Sequence, residues 1–222
     1  MSQATYITVV FIAVTGIATA NPIAIYPALY VPLAQPSAPS SCPSSNLRAD
    51  TRQVFLDEVN LLRSRVAGGH EPEANSTRTA PPASNMRQMS YNCSLEATAY
   101  RWAQKCQWGH SGKSNFQQSH TREIGTSGVG ENIYAFGNCQ NCPAVQPNQI
   151  ANNSMLSWWG ELQQYGIPAD NVLTTNVFNT GVGHYTQVAS LGNYLGEKIY
   201  EIGSAASQCP SGTSRSGNLC AA

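Results

Sequence analysis

Apolar residues recur at helical spacing through Val54, Phe55, Val59, Leu62 and Val66, which predicts a first amphipathic helix with one buried face. Asp50 followed by Gln53 resembles a capping box at its start, and Gly68-Gly69 stops it. A second helical stripe runs through Leu95, Ala99, Trp102, Ala103 and Cys106 and ends by Gly109, with Cys93 and Cys106 bracketing it. The segment from Ala80 to Met89 between them reads as a turn leading into a short helix. The short apolar run Glu131-Asn132-Ile133-Tyr134-Ala135-Phe136 fits a strand. A third helix carries Ala151, Met155, Trp158, Trp159 and Leu162 toward the core and ends near Gly166-Ile167-Pro168. Tyr185, Gln187 and Val188 then read as a second strand, so that Glu131 and His184 both fall at strand starts.

The flanks have no such periodicity. Residues 1–20 hold an apolar run from Tyr6 to Val14 ending in Ala18-Thr19-Ala20, which fits a leader with a small-residue cleavage site. The run is too short and interrupted to span a bilayer comfortably, and an uncleaved anchor is the alternative. Residues 21–46 are rich in Pro, Ala and Ser and read as an extended linker whose end Cys42 ties down. Residues 47–203 carry the domain, and beyond Gly203 the Ser, Gly and Cys content reads as a tail without a core. Helices with a few strands between them argue for an α+β fold.

The chain has 222 residues, enough for one domain with a real core, and its 12 basic residues balance 12 acidic ones. No electrostatic footprint marks it for nucleic acid or an anionic membrane. Seven cysteines behind a leader imply disulfides and leave at least one sulfur without an intramolecular partner. Cys139-Gln140-Asn141-Cys142 lacks a second pair at zinc-ribbon spacing and reads as disulfide halves, as does Cys106. Sequons at Asn75, Asn92 and Asn152 permit glycosylation in the same compartment. The expected location is extracellular.

Four short phrases carry the candidate chemistry. They are Cys106-Gln107-Trp108-Gly109-His110-Ser111, Gly130-Glu131-Asn132-Ile133-Tyr134, Trp158-Trp159-Gly160-Glu161-Leu162 and Gly183-His184-Tyr185-Thr186-Gln187-Val188. In order and spacing this set resembles the CAP superfamily, the cysteine-rich secretory, antigen 5 and pathogenesis-related proteins, and within it the secreted venom-allergen-like proteins of nematodes. The resemblance runs from about Cys42 to the C-terminus. It implies a three-layer α-β-α sandwich in which His110, Glu131, Glu161 and His184 converge in an open cleft.

Neutral imidazole nitrogens and carboxylate oxygens suit zinc or a similar divalent cation, here an optional cofactor. Equally, each histidine can hydrogen-bond a glutamate and the four residues simply knit helices to sheet. His70 and His120 sit among polar loop residues and read as solvent-facing. The nucleophile of a hydrolase would be Ser111 beside His110, but adjacent residues rarely face each other productively and no Gly-x-Ser-x-Gly elbow is present. Binding of an extracellular protein or lipid, such as a sterol or fatty acid, is therefore the leading function, with a metal-dependent or serine-type hydrolase as the alternative. Trp102, Trp108, Trp158 and Trp159 suit either a lipid cleft or the core, and aromatics on helical stripes more often fill cores.

The resemblance also has a hole. In relatives the phrase matching His184-Tyr185-Thr186-Gln187 continues into two more strands. Here Val188-Ala189-Ser190 runs directly into Leu191-Gly192-Asn193-Tyr194. Two strands of about five or six residues each are absent, so the sheet is expected to be truncated. Ala206 and Arg215 also stand where relatives commonly have cysteine. A diverged chain and a non-functional mis-spliced one both fit this pattern. Transcript sequencing separates them: the mis-spliced reading predicts a longer product across Ser190 to Gly192 encoding both strands, and the diverged reading predicts the short junction alone.

Overall fold

A computed structural model describes residues 7–12, 36–43, 45–74, 77–105, 108–111, 130–135, 147–190 and 196–221. Helix α1, Ala49–Ala67, forms as its periodicity predicts, burying Phe55, Val59, Leu62 and Val66, and it stops at Gly68, with Gly69 in the left-handed region at φ 73°. Its start differs from expectation. Arg48 provides no side-chain cap. The Gln53 side chain instead accepts from the Ala38 amide and donates to the Pro36 carbonyl, so the capping box is replaced by a clasp on the end of the linker. Cys42 fastens the same linker to Cys93, the first residue of helix α2, Cys93–Ala103. The Asn92 side chain caps α2 by accepting from the Ser94 and Leu95 amides.

Strand β1, Ile7–Ile12, pairs in parallel with strand β2, Gly130–Ala135. Helix α3, Pro147–Tyr165, packs along α1, and a short helix α4, Thr175–Asn179, leads into helix α5, Gly183–Ala189. The expected strand at Tyr185–Val188 is thus a helix. A seven-residue run is too short for its period to decide, and its buried residues Tyr185, Val188 and Ala189 follow i, i+3, i+4 spacing. Strands β3, Ser214–Ser216, and β4, Leu219–Ala221, close the chain as an antiparallel pair. Among the described residues the sheets are two two-stranded pairs, so the architecture is mixed helix and strand with few strands.

Helices flank β1 and β2. Helix α2 packs against β1, its Ala99 clusters with Ile133 of β2, and α5 packs against β2 from α3's layer. The main core gathers α1, α3 and α5 around Trp158, Leu162, Met155 and Tyr185, all essentially inaccessible to solvent. Two expectations are corrected at its edge. The segment from Ala80 to Met89 forms no helix: its backbone is satisfied laterally, through the Asn60 side chain on Met89 and through the Cys220 backbone on Met86 and Gln88. The tail likewise belongs to the core, since Leu219 and Cys220 are buried there, Cys209 bonds to Cys220, and Asn218 donates to the Ser64 carbonyl. One apolar residue in a Ser- and Gly-rich stretch carries no period to announce this.

Helix α1 buries polar residues as well as apolar ones. Arg63 is fully buried, donates to the carbonyls of Arg87, Val188 and Ser190, and so holds the end of α5 where the family pattern breaks. Burial pushes its guanidinium down to about 9, which still leaves it charged at neutral pH. Arg52 forms a two-pronged bridge to Glu96 of α2 at 2.7 and 2.9 Å, with both side chains buried. Burial alone raises the Glu96 carboxyl, but hydrogen bonds from Arg52, Ser45 and Tyr91 more than offset it and the net shift is downward.

A carboxyl held below its unfolded value adds stability that is complete above the unfolded pKa and is lost as pH falls through the folded one. Glu96→Gln is therefore expected to cost about 3 kcal/mol at neutral pH, because it leaves Arg52 buried without its charge partner. The gap between mutant and native protein in urea unfolding should narrow as pH falls below the ordinary carboxylate range and through the native carboxyl's lowered titration. A gap independent of pH counts against the assignment.

Candidate functional site

The structure joins the four sequence-predicted residues two by two. His110 Nδ1 lies 2.7 Å from Glu131 Oε1, and the Ser111 amide donates to the same oxygen at 2.9 Å. The Ser111 hydroxyl donates to the other oxygen, Glu131 Oε2. In the second pair His184 Nδ1 lies 2.6 Å from Glu161 Oε1, while the amides of His184 and Tyr185 donate to Glu161 Oε2 at 2.8 and 3.0 Å. Each carboxylate is therefore clamped by one imidazole nitrogen and by backbone N–H beside that imidazole.

The second pair also explains why α5 is a helix. Val182 supplies no capping side chain, so the first-turn amides of α5 need an acceptor from elsewhere. Glu161, on α3, provides it, and a carboxylate at a helix N-terminus is stabilised by the local dipole as well. Glu161 shares its flank of α3 with Trp158, three residues earlier, as helical spacing predicts. The Trp158 ring stacks on His184 with centroids 6.1 Å apart and planes 18° apart, and its indole N–H donates to the Ile133 carbonyl of β2 at 3.0 Å. One face of the imidazole is thus packed and its Nδ1 edge held.

Strand β2 connects the pairs. Glu131 sits on it, and the neighbouring Asn132 side chain donates to the His184 carbonyl at 3.0 Å. The Gln187 side chain of α5 lies over Gly130, where a Cβ would fall 1.8 Å from its amide nitrogen, so a larger residue there would require that side chain to move aside. Sequence reasoning missed Gly130, Asn132 and Trp158 as positioning residues, although Gly130 and Asn132 directly flank Glu131. Of the four tryptophans, Trp158 and Trp159 are core, Trp102 is half-buried with its N–H on the Gly109 carbonyl, and Trp108 is 58% exposed two residues before His110. His70 is exposed as expected, and His120, Cys106, Cys139, Cys142 and Asn75 lie outside the described residues.

His184 Nε2 is buried and has no hydrogen-bond partner. Among the described residues no three His, Cys, Asp or Glu side chains are grouped closely enough to hold a metal together. What the arrangement does chemically is fix two imidazoles through Nδ1, with the Nε2 of His184 left without a hydrogen-bond partner.

A helix-sheet-helix domain with two histidine–glutamate pairs beside its sheet defines a class, and the comparisons identify it. The profile of the cysteine-rich secretory protein family, CAP, matches residues 56–220, and the chain belongs to that family. It is 34% identical over 206 residues to "Ancylostoma secreted protein" of Ancylostoma caninum, covering 80% of this chain and 45% of that one. The crystal structure of Na-ASP-1 superposes with a TM-score of 0.69 at 32% identity, covering 83% of this chain and 50% of that one. NaASP2, solved with Zn2+, gives 0.63 at 30% identity, covering 75% and 93%. The chain spans about half or less of the length of the first two curated relatives it matches.

Replacing Glu161 by Ala is expected to cost about 1–2 kcal/mol through loss of the cap and to speed amide exchange at His184 and Tyr185. Glu161→Gln retains an acceptor oxygen and should cost less. Unchanged exchange at both amides in Glu161→Ala would show that α5 is capped by something else.

Proposed function

We propose that the chain is an extracellular, non-enzymatic binding protein in which His110, Glu131, Glu161 and His184 form a divalent-ion site. The observation that carries the reading is the buried Nε2 of His184, which lacks a partner while Glu161 occupies Nδ1. Carboxylates on Nδ1 are the arrangement in which imidazole ligates through its other nitrogen, because they fix the tautomer and raise the ring's basicity. In this reading zinc would take His110 and His184 as nitrogen ligands, with Glu131 and Glu161 holding the two rings and further oxygen ligands coming from water or the partner. A bound ion would supply a fixed positive charge able to receive an oxygen-bearing partner. NaASP2, a relative solved with Zn2+, supports the choice of ion.

The partner proposed is an extracellular protein or a lipid such as a sterol or fatty acid. Exposed Trp108 beside His110 offers the aromatic contact either class would use. Relatives named as secreted proteins and venom allergens support the extracellular location. No helix among the described residues is long and apolar enough to cross a membrane. For the serine-hydrolase alternative the geometry offers little, since Ser111 is buried and its hydroxyl donates to Glu131.

Calorimetric titration with zinc at pH 7.5 is expected to show binding that His110→Ala and His184→Ala each weaken and that fades on acidification, because both imidazoles must be neutral to ligate. Absence of heat at pH 7.5, or binding unchanged in the double variant, would leave the four residues as a hydrogen-bonded brace. A panel of labelled sterols, fatty acids and surface receptors addresses the partner. Turnover of an ester or peptide that is abolished by Ser111→Ala would replace the binding reading with the hydrolase.

A further inference from the structure

The fold treats two of the chain's sequons very differently. In Asn92-Cys93-Ser94 the asparagine stands just before α2 in extended backbone, at φ −130° and ψ 113°, and Ser94 is exposed. Both capping bonds of Asn92 fall on Oδ1, from the Ser94 amide at 2.8 Å and the Leu95 amide at 3.2 Å, so the cap makes no use of Nδ2. Asn152-Asn153-Ser154 lies inside α3. There Asn152 Oδ1 is buried, and Ser154 is fully buried with its hydroxyl donating to the Ala151 carbonyl at 2.8 Å.

We propose that Asn92 carries an N-linked glycan on the folded protein and that Asn152 carries none. The proposal rests on the extracellular reading, because the sugar donor is a lipid-diphosphate-linked oligosaccharide of the exporting compartment. In the transfer Asn92 Nδ2 attacks the anomeric carbon of that donor. The carbon–oxygen bond to the diphosphate breaks as the carbon–Nδ2 bond forms, Nδ2 releases one proton, and the lipid diphosphate leaves. The carboxamide oxygen is untouched, so the modified residue still caps α2. At Asn152 the same bond would place a bulky hydrated group on a side chain whose oxygen is already packed inside, between the inaccessible Ala151 and Ser154. The central residue of the Asn92 sequon is Cys93, bonded to Cys42, so the glycan marks the seam where the linker is fastened. Helix α2, 11 residues and about 16 Å long, separates that seam from Trp102, whose N–H holds the Gly109 carbonyl beside His110. Glycan and histidine pair are served by opposite ends of one helix.

Peptide mapping of the full chain expressed in eukaryotic cells tests this. After a peptide-N-glycosidase treatment in heavy-oxygen water, a labelled aspartate is expected at position 92 and unmodified asparagine at 152. Ser94→Ala removes the sequon and leaves the Asn92 cap, so the label at 92 should be lost entirely while the Leu95 amide exchanges as slowly as in the native chain. Faster exchange at Leu95 in the glycosylated chain than in Ser94→Ala would show that the glycan displaces the cap. Unmodified Asn92, or a label at 152, overturns the proposal. If Asn92 is unmodified while Cys42–Cys93 and Cys209–Cys220 are formed, the fault lies in the site; if those cysteines are reduced, it lies in the extracellular reading.

Discussion

Glu161 meets helix α5 at its first turn, where Val182 leaves backbone N–H groups without a side-chain acceptor, and the same carboxylate holds the His184 ring. That double use ties local folding to site chemistry. A seven-residue helix is too short to persist on propensity, so its existence depends on tertiary capping and packing. Once capped, it presents His184 to the Trp158 face, buries Tyr185 and Val188 in the core, and sets its carbonyl end against Arg63. Glu131 does the corresponding work for His110 and Ser111. The two carboxylates are thus organisers of imidazoles before they are anything else.

Around them, burial of polar groups decides how the pieces join. Helix α1 would be overcommitted if its buried Arg52, Asn60 and Arg63 lacked partners, since an unsatisfied buried polar group costs about 1–3 kcal/mol. Each is met from another segment: Glu96 of α2, the Met89 backbone, and the carbonyls of Arg87, Val188 and Ser190. Such bonds specify which segments lie against α1 more sharply than apolar contact, which is non-directional. Arg63 in particular bridges α1 to the residues where the family pattern is interrupted, and the core closes there through Ile199, Tyr200 and Leu219.

Long periodic segments were legible in the sequence. The apolar positions of α1 and α3 lie in the core as their spacing predicts, and the run beginning at Glu131 is a strand. The family was legible too, because His and Glu stand in short phrases with distinctive neighbours. What misled was short-range chemistry with a distant partner. Gln53 looked like a cap residue but is claimed by the linker, and Tyr185–Val188 looked like a strand because its cap sits on another helix. The tail looked coreless because a single leucine makes its contact. Within the site, the residue types could not tell whether a glutamate would face a common centre or an imidazole nitrogen, since that choice is one of geometry.

The central claim is that the glutamates hold both imidazoles by Nδ1–H, leaving the Nε2 lone pair directed away from the brace. Long-range nitrogen–proton correlation spectra of ring-labelled histidine, recorded near neutral pH on the metal-free full chain, read this directly. The account predicts that His110 and His184 both appear as the Nδ1–H tautomer, the form that carboxylate hydrogen bonding selects. Nε2–H imidazoles at these two positions would contradict it, because the carboxylates would then face a nitrogen with no proton to give and the ring atom needed for ligation would be blocked.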